Sequence, residues 1–461
     1  MLTVAPLPVA AGPRAPQELP QSQHLLTPPS GSSEHAKLRD ELHNCPGLDQ
    51  VDYGHPLAIA ACLDDAKTVA HAVEVLKKAR QIEDTNRHGP RAESNVRRRV
   101  VLMSAFFWKE RRVPTATLTD QAPFDQALLE LLEAFKKTFF EKHTGTERVL
   151  FSHISKAGGT SFHGLAKANH KEMPTWNRWR RQGGWFKGDG PVWCCDEPIE
   201  RSCEDHINMM GDNRLTLQER YLDANGGKDK PQLCDELVYA VMLRNPVDRL
   251  MSHLNELAAH YLSLAQPDNQ LVNRLGDVIE AGCTNASMVV EALCLDATSE
   301  GAKRQAFIKK LGQTICGIAS NYMTRSMLGT ATFGAGVYQT HFKDTLVEDR
   351  ADLAIAVLES FSVVLLLEES AEDQSQLDLF KLTLGFDQAD LANHHERPTT
   401  INSRRFVPES LSPEQRWRLE QLNEADLKLY ERAKMIFRQD MFFYSFAAGR
   451  NISVPSWTQA G

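Results

Sequence analysis

Two segments of the chain carry residue types that bind phosphate-like anions. The first is Phe151-Ser152-His153-Ile154-Ser155-Lys156-Ala157-Gly158-Gly159-Thr160-Ser161-Phe162-His163, which reads as an apolar strand, a glycine-containing turn and a helix start. That order makes an anion cradle: glycines let the backbone approach a phosphate, helix N-terminal N–H groups point at it, and the hydroxyls of Thr160 and Ser161 add donors. Lys156 supplies a point charge. The Walker arrangement G-x-x-x-x-G-K-[ST] places its lysine after the second glycine, whereas this lysine precedes the glycine pair, which disfavours an ordinary nucleotide triphosphatase. Taken alone, a Gly-Gly-Thr-Ser turn is more often a tight turn or a helix cap than a site.

The second segment follows the apolar run at 236–243. Arg244-Asn245-Pro246-Val247-Asp248-Arg249-Leu250-Met251-Ser252-His253 places Arg244 at the C-terminal end of a strand, where open α/β sheets bind ligands. Pro246 suits a first helical turn, so Ser252 lies about two turns further on. An arginine fork and a hydroxyl together can hold a terminal phosphate monoester. The plainer alternative is a capped helix with Asp248 and Arg249 in solvent.

Together these segments resemble the donor site of sulfotransferases that use 3′-phosphoadenosine 5′-phosphosulfate (PAPS). His153, Ile154, Lys156, Gly158, Gly159, Thr160 and Ser161 match the H-I-x-K-x-G-G-T-S loop of the carbohydrate-type enzymes, which holds the 5′-phosphosulfate. The segment from Arg244 is similar to the family's 3′-phosphate motif, so the resemblance implies that Arg244 and Ser252 bind that phosphate. Asn245 stands where Asp is commoner, a change that should preserve the turn. Two weaker echoes follow: Asn321 to Gly329 resembles an N-x-x-T-R-x-L-x-G segment, and Asn423 to Tyr430 an N-x-x-D-x-x-L-Y helix. Arg325 in the former either reaches the cofactor or an acidic acceptor, or forms a structural ion pair. The resemblance spans about 148 to 440 and leaves out the N-terminal third.

Sulfuryl transfer by in-line displacement needs charge stabilisation on the departing phosphate, a task for Lys156 and the loop N–H groups. A base to take the acceptor's proton is useful, and the family places a His or Glu between the two phosphate motifs. Here the candidates are His206 and Glu219, with Glu219 slightly preferred; ion pairing of Glu219 and solvation of His206 and His163 are the competing readings. Trp176-Asn177-Arg178-Trp179-Arg180-Arg181-Gln182-Gly183-Gly184-Trp185 interleaves aromatic and positive side chains, which fits either an anionic glycan or an ordinary surface loop. His394-His395-Glu396 does not make a metal site, because adjacent side chains diverge, and the chemistry above requires no metal.

These residues need elements to hold them. RVLFSHI (148–154), ELVYAVML (236–243) and FSVVLLLEE (361–369) read as buried strands near candidate helices, the pattern of a parallel sheet with covered faces. Phe124, Leu128, Leu131, Leu132, Phe135 and Phe139 line one face of a helix. A last strong helix should start after Ser412, with Pro413 at its first position, Gln415 in capping-box spacing, and Trp417, Leu419, Leu422, Tyr430 and Ala433 along it. The expected fold is α/β, a three-layer sandwich with a central parallel sheet. The expected divisions are a disordered tail at 1–35, a helical N-terminal region at 36–145 whose role is unread, the sulfotransferase domain at 146–446 and a C-terminal tail at 447–461.

The 461 residues, 42% of them hydrophobic, suffice for one large domain with additions or for two. A formal charge of −8 argues against a nucleic-acid binder working through phosphate neutralisation. No membrane span is expected, and the proline-rich opening has too short an apolar run for a signal or anchor. The carbohydrate-type relatives usually sit in the Golgi lumen behind such an anchor, so the compartment is either that lumen or the cytoplasm of a soluble enzyme. Nine cysteines lack metal spacing and are expected to be mostly buried thiols; Cys203 with Cys234, and Cys283 with Cys294, are pairs open to bridging in an oxidising compartment. Sequons at Asn285 and Asn451 carry little weight. The expected activity is transfer of a sulfuryl group from PAPS to a hydroxyl, preferably on a glycan. Its rivals are a catalytically inactive PAPS- or glycan-binding protein, which the intact Lys156 disfavours, and a P-loop kinase, for which Walker A and metal-binding carboxylates are missing.

Overall fold

The computed structural model describes residues 56–86, 88–112, 118–143, 147–169, 203–204, 207, 215–219, 233–261, 320–328, 351–369, 374–388 and 411–450. The expected tail at 1–35, residues 451–461 of the expected C-terminal tail at 447–461, His206, the 176–185 stretch, His394-His395-Glu396, both sequons and the Cys283/Cys294 pair lie outside them.

Among the described residues four parallel strands form the sheet, β1 (Arg148–His153), β2 (Leu215–Glu219), β3 (Leu237–Leu243) and β4 (Val363–Leu366), in the spatial order β2-β1-β3-β4. Every residue of β3 and β4 is buried, as are five of the six in β1. Strands covered on both faces have no polar side to alternate with, which is why these three appear as unbroken apolar runs in the sequence. β2 escaped notice because its sequence, Leu-Thr-Leu-Gln-Glu, is short and half polar. The protein is therefore α/β with a parallel sheet.

Helices outnumber the strands. Ahead of β1 come α1 (Pro56–Asp65), α2 (Val69–Thr85), α3 (Arg91–Arg112) and α4 (Leu118–Lys142). The six apolar residues from Phe124 to Phe139 line α4 and are all buried. After the sheet begins there follow α5 (Gly159–Ala168), α6 (Pro246–Tyr261), α7 (Tyr322–Leu328), α8 (Ala351–Ser360), α9 (Gln374–Leu384), α10 (Pro413–Leu422) and α11 (Glu424–Ala447). One hydrophobic cluster runs without interruption from Ile59 on α1 through the sheet to Tyr444 on α11.

Arg99 on α3 shows how tightly the N-terminal helices join this body. Its guanidinium is wholly buried, donates to the carbonyls of Leu358, Glu359 and Phe361, and pairs with Asp440 on α11. Those carbonyls end α8, where a helix leaves its last C=O groups without internal partners. Arg99 thus closes α8 in front of β4, and Asp440 offsets the charge that burial would otherwise leave unpaired.

The expected final helix is two. Ser412 and Gln415 form the capping box at the start of α10, but the helix stops at Leu422 and restarts at Glu424. Asn423 breaks it: its side chain donates to Leu419 O and accepts from the backbone N–H of Asn321, a chain segment packed from elsewhere. Trp417, expected on the apolar stripe, is 57% exposed.

Candidate functional site

The strand order places β1 between β2 and β3, so the chain steps from β1 to one side and then crosses back to the other. The crevice outside the carboxyl ends of the strands at such a reversal is where doubly wound sheets bind ligands. Here the reversal lies between β1 and β3. The Lys156 loop follows the first and Arg244 the second.

The loop from Ile154 to Gly158 is a tight, strained turn. Ala157 N–H donates to Ile154 O, and both Lys156 (φ 69°) and Gly158 (φ 89°) have left-handed backbones. Gly158 is tolerant of that conformation; Lys156 is not, and a lysine held there carries a cost that clusters at functional sites. Gly158 is also the N-cap of α5, and no side chain caps the first turn, which leaves helix N–H groups available to an anion. Thr160 and Lys156 are half-buried, while Ser161 is only 3% exposed.

The glycine pair is required by packing before any ligand is considered. A Cβ on Gly158 would stand 2.5 Å from Met242 Sδ and 2.8 Å from Leu367 Cδ1. One on Gly159 would stand 2.0 Å from the ring of His153, the last residue of β1. The turn is pressed against the strands it connects.

Arg244 leaves β3 half-buried, and its Nη1 donates to Lys156 O at 3.3 Å across 88 residues of sequence. Its Nε, 3.9 Å from Glu368 Oε1, makes no hydrogen bond. Glu368, just beyond β4, also accepts from Asn245 N–H at 2.8 Å and from Tyr430 Oη at 2.9 Å. Burial first, and the Glu368 carboxylate second, push the Tyr430 hydroxyl far above its usual pKa, which keeps it a donor. Glu368 was not singled out by sequence, although an acid closing an apolar strand at the ligand edge was a signal.

Asn245 performs the capping expected of its position, its Oδ1 accepting from Val247 and Asp248 N–H at the start of α6. Two turns on, Ser252 is half-buried. Arg249 is not in solvent as the capped-helix alternative has it. It is wholly buried, 4.6 Å over the Tyr322 ring, and beside His253. Desolvation lowers its pKa, with the Asp426 charge opposing.

Glu219 ends β2, and the register sets it opposite His153. It therefore stands at the same carboxyl edge, three residues from Lys156 in the neighbouring strand's numbering.

The two C-terminal echoes meet each other rather than the crevice. Asn321 Oδ1 accepts from Ala425 and Asp426 N–H at the start of α11, while Asp426 accepts from Met323 and Thr324 N–H at the start of α7. Each motif caps the other's helix. Arg325 is buried, donates to Ser320 O, and desolvation lowers its pKa to about 10. Its position favours the structural reading.

Cys203 and Cys234 form a disulfide, closing the stretch that contains β2, and Cys62 is disulfide-bonded as well. Among the described residues no cluster of acids, histidines and cysteines suits a metal ion, and no helix is long and apolar enough to cross a membrane. Compared with known protein families, with curated proteins and with solved structures, the chain finds no match.

Proposed function

We propose that the chain is a PAPS-dependent sulfotransferase whose donor site is the crevice between β1 and β3. The observation that carries this reading is the Arg244 Nη1 to Lys156 O hydrogen bond, which joins the two anion-binding segments at the reversal of strand order. A nucleotide with phosphates at both ends needs two such segments side by side, and the half-buried Arg244 fork at the strand end suits a 3′-phosphate. In this reading the full fold is the three-layer sandwich of that family.

The acceptor hydroxyl oxygen attacks sulfur, the bond from sulfur to the 5′-phosphate oxygen breaks, and adenosine 3′,5′-bisphosphate leaves. Lys156, Thr160 and the α5 N–H groups stabilise charge on that phosphate, with Gly158 and Gly159 shaping the turn and Ser161 supporting it from within. Arg244 and Ser252 hold the 3′-phosphate. Glu219 takes the acceptor's proton; its place at the sheet edge favours it as the base. The acceptor is a hydroxyl on a glycan, and the disulfides suit an oxidising lumen such as the Golgi.

Calorimetry with adenosine 3′,5′-bisphosphate in metal-free buffer tests the proposal. Binding in the micromolar range is expected, with MgATP much weaker. A folded protein that ignores the bisphosphate, or that prefers MgATP, would overturn it.

A further inference from the structure

Far from the sheet edge, a small cavity lies between the first turns of α3 and the end of α4. Its polar wall is Arg91, Ser94, Asn95, Arg98, Lys142 and His143, and its apolar wall Phe135 and Phe139. The volume open to the centre of a water molecule is about 10 Å³, room for one small occupant.

Four buried polar atoms on this wall have no partner: Arg91 Nε and Nη1, Arg98 Nη2 and His143 Nδ1. Ten side-chain atoms share that condition among the described residues, so the cavity concentrates them. Arg98 is 3% and His143 6% exposed, too deep for bulk water to serve them. The nearby carboxylates, Asp440, Glu147, Glu83, Asp235 and Glu236, act on these cations from outside the cavity lining. Asp440 takes Arg98 Nη1, and Glu147 lies 3.7 Å from Arg91 Nη2. Arg91 Nη2 also donates to Lys142 O, while Lys142 Nζ points to Gly89 O. No acid lines the cavity.

Guanidinium nitrogens only donate, and a water molecule accepts about two hydrogen bonds, so several inward donors call for an occupant that accepts from all sides. Buried donors that a single neutral acceptor cannot all serve favour an anion. We propose that this cavity binds a single monoatomic anion of the halide class, held by Arg91, Arg98 and the Nδ1–H tautomer of His143, with Lys142 adding charge. Burial, then the neighbouring Arg91, Arg98 and Lys142, hold the His143 imidazole well below its usual pKa. Lys142 is lowered too, by burial and then by Arg97 and Arg91, against Glu83 and Asp235. The anion would tie α4 to the helix that delivers Arg99 to α8.

Two measurements on the full chain decide this. Crystals soaked in bromide should show an anomalous peak within hydrogen-bonding distance of Arg98 Nη2 and His143 Nδ1. The melting temperature should be roughly 2 °C higher in about 0.15 M chloride than in gluconate at equal ionic strength. Arg91→Gln, which removes two inward donors and leaves the Asp440 pair intact, should abolish that difference. If the variant fails to fold, the bromide peak in the parent decides. A cavity that keeps water under bromide, or equal melting in both salts, would overturn the proposal.

Discussion

The sheet edge and the α7–α11 clasp both lie at helix starts, yet they are wired in opposite ways. In the clasp, Asn321 and Asp426 are 3% and 0% exposed, and each gives its oxygens to N–H groups of the other's helix. At the edge, Lys156 and Arg244 stay half-buried, α5 begins without a side-chain cap, and Arg244 Nε keeps an unmatched donor. A capping motif is a joint where another part of the chain already accepts from it; α5 begins without that partner. Sequence spacing alone does not tell the two apart.

That contrast predicts where mutations harm folding and where they harm binding. The largest effect belongs to the clasp. Asp426→Ala strands two buried N–H groups and removes the carboxylate that offsets buried Arg249, so chemical denaturation should show a loss of about 3–5 kcal/mol. Gly158→Ala should come next, since it forces a Cβ against Met242 and Leu367 at positive φ, and should lower stability by about 2–4 kcal/mol. A mild effect there would mean that the turn is looser than its packing implies.

Lys156→Gly sharpens the comparison. Glycine relieves the left-handed strain at φ 69°, so stability should stay within about 1 kcal/mol while bisphosphate affinity falls by roughly 1.5–3 kcal/mol. A variant that loses stability instead would class Lys156 with the clasp. The smallest effect is expected of Glu368→Gln, which keeps an acceptor for Asn245 N–H and turns an NH2 donor toward the Tyr430 oxygen, but drops the charge beside Arg244. Titration calorimetry should register a change of about 1 kcal/mol in affinity, with unfolding little altered.

Much of this was legible in the sequence because fully buried parallel strands leave continuous apolar runs, and β1, β3 and β4 do so. The capping box at Ser412 was equally plain, being local. What escaped was non-local. The break at Asn423 depends on Asn321, about a hundred residues away, and the pairing of Asn321 with Asp426 reveals itself only once α7 meets α11. The two phosphate-type segments could be read one by one, but that β1 and β3 are neighbours, with β2 on the far side, required the sheet. The glycine pair was read for a ligand's approach, and the structure adds His153, Met242 and Leu367 as its packing partners.

The central claim is that Arg244 reads a 3′-phosphate beside the Lys156 loop. The most direct test compares adenosine 3′,5′-bisphosphate with adenosine 5′-monophosphate in the parent and in Arg244→Ala. The parent should bind the bisphosphate at least about tenfold more tightly, as one charge-assisted contact requires, and Arg244→Ala should erase that preference while still binding the monophosphate. Equal affinity for the two nucleotides in the folded parent, or a preference that survives Arg244→Ala, would contradict the account.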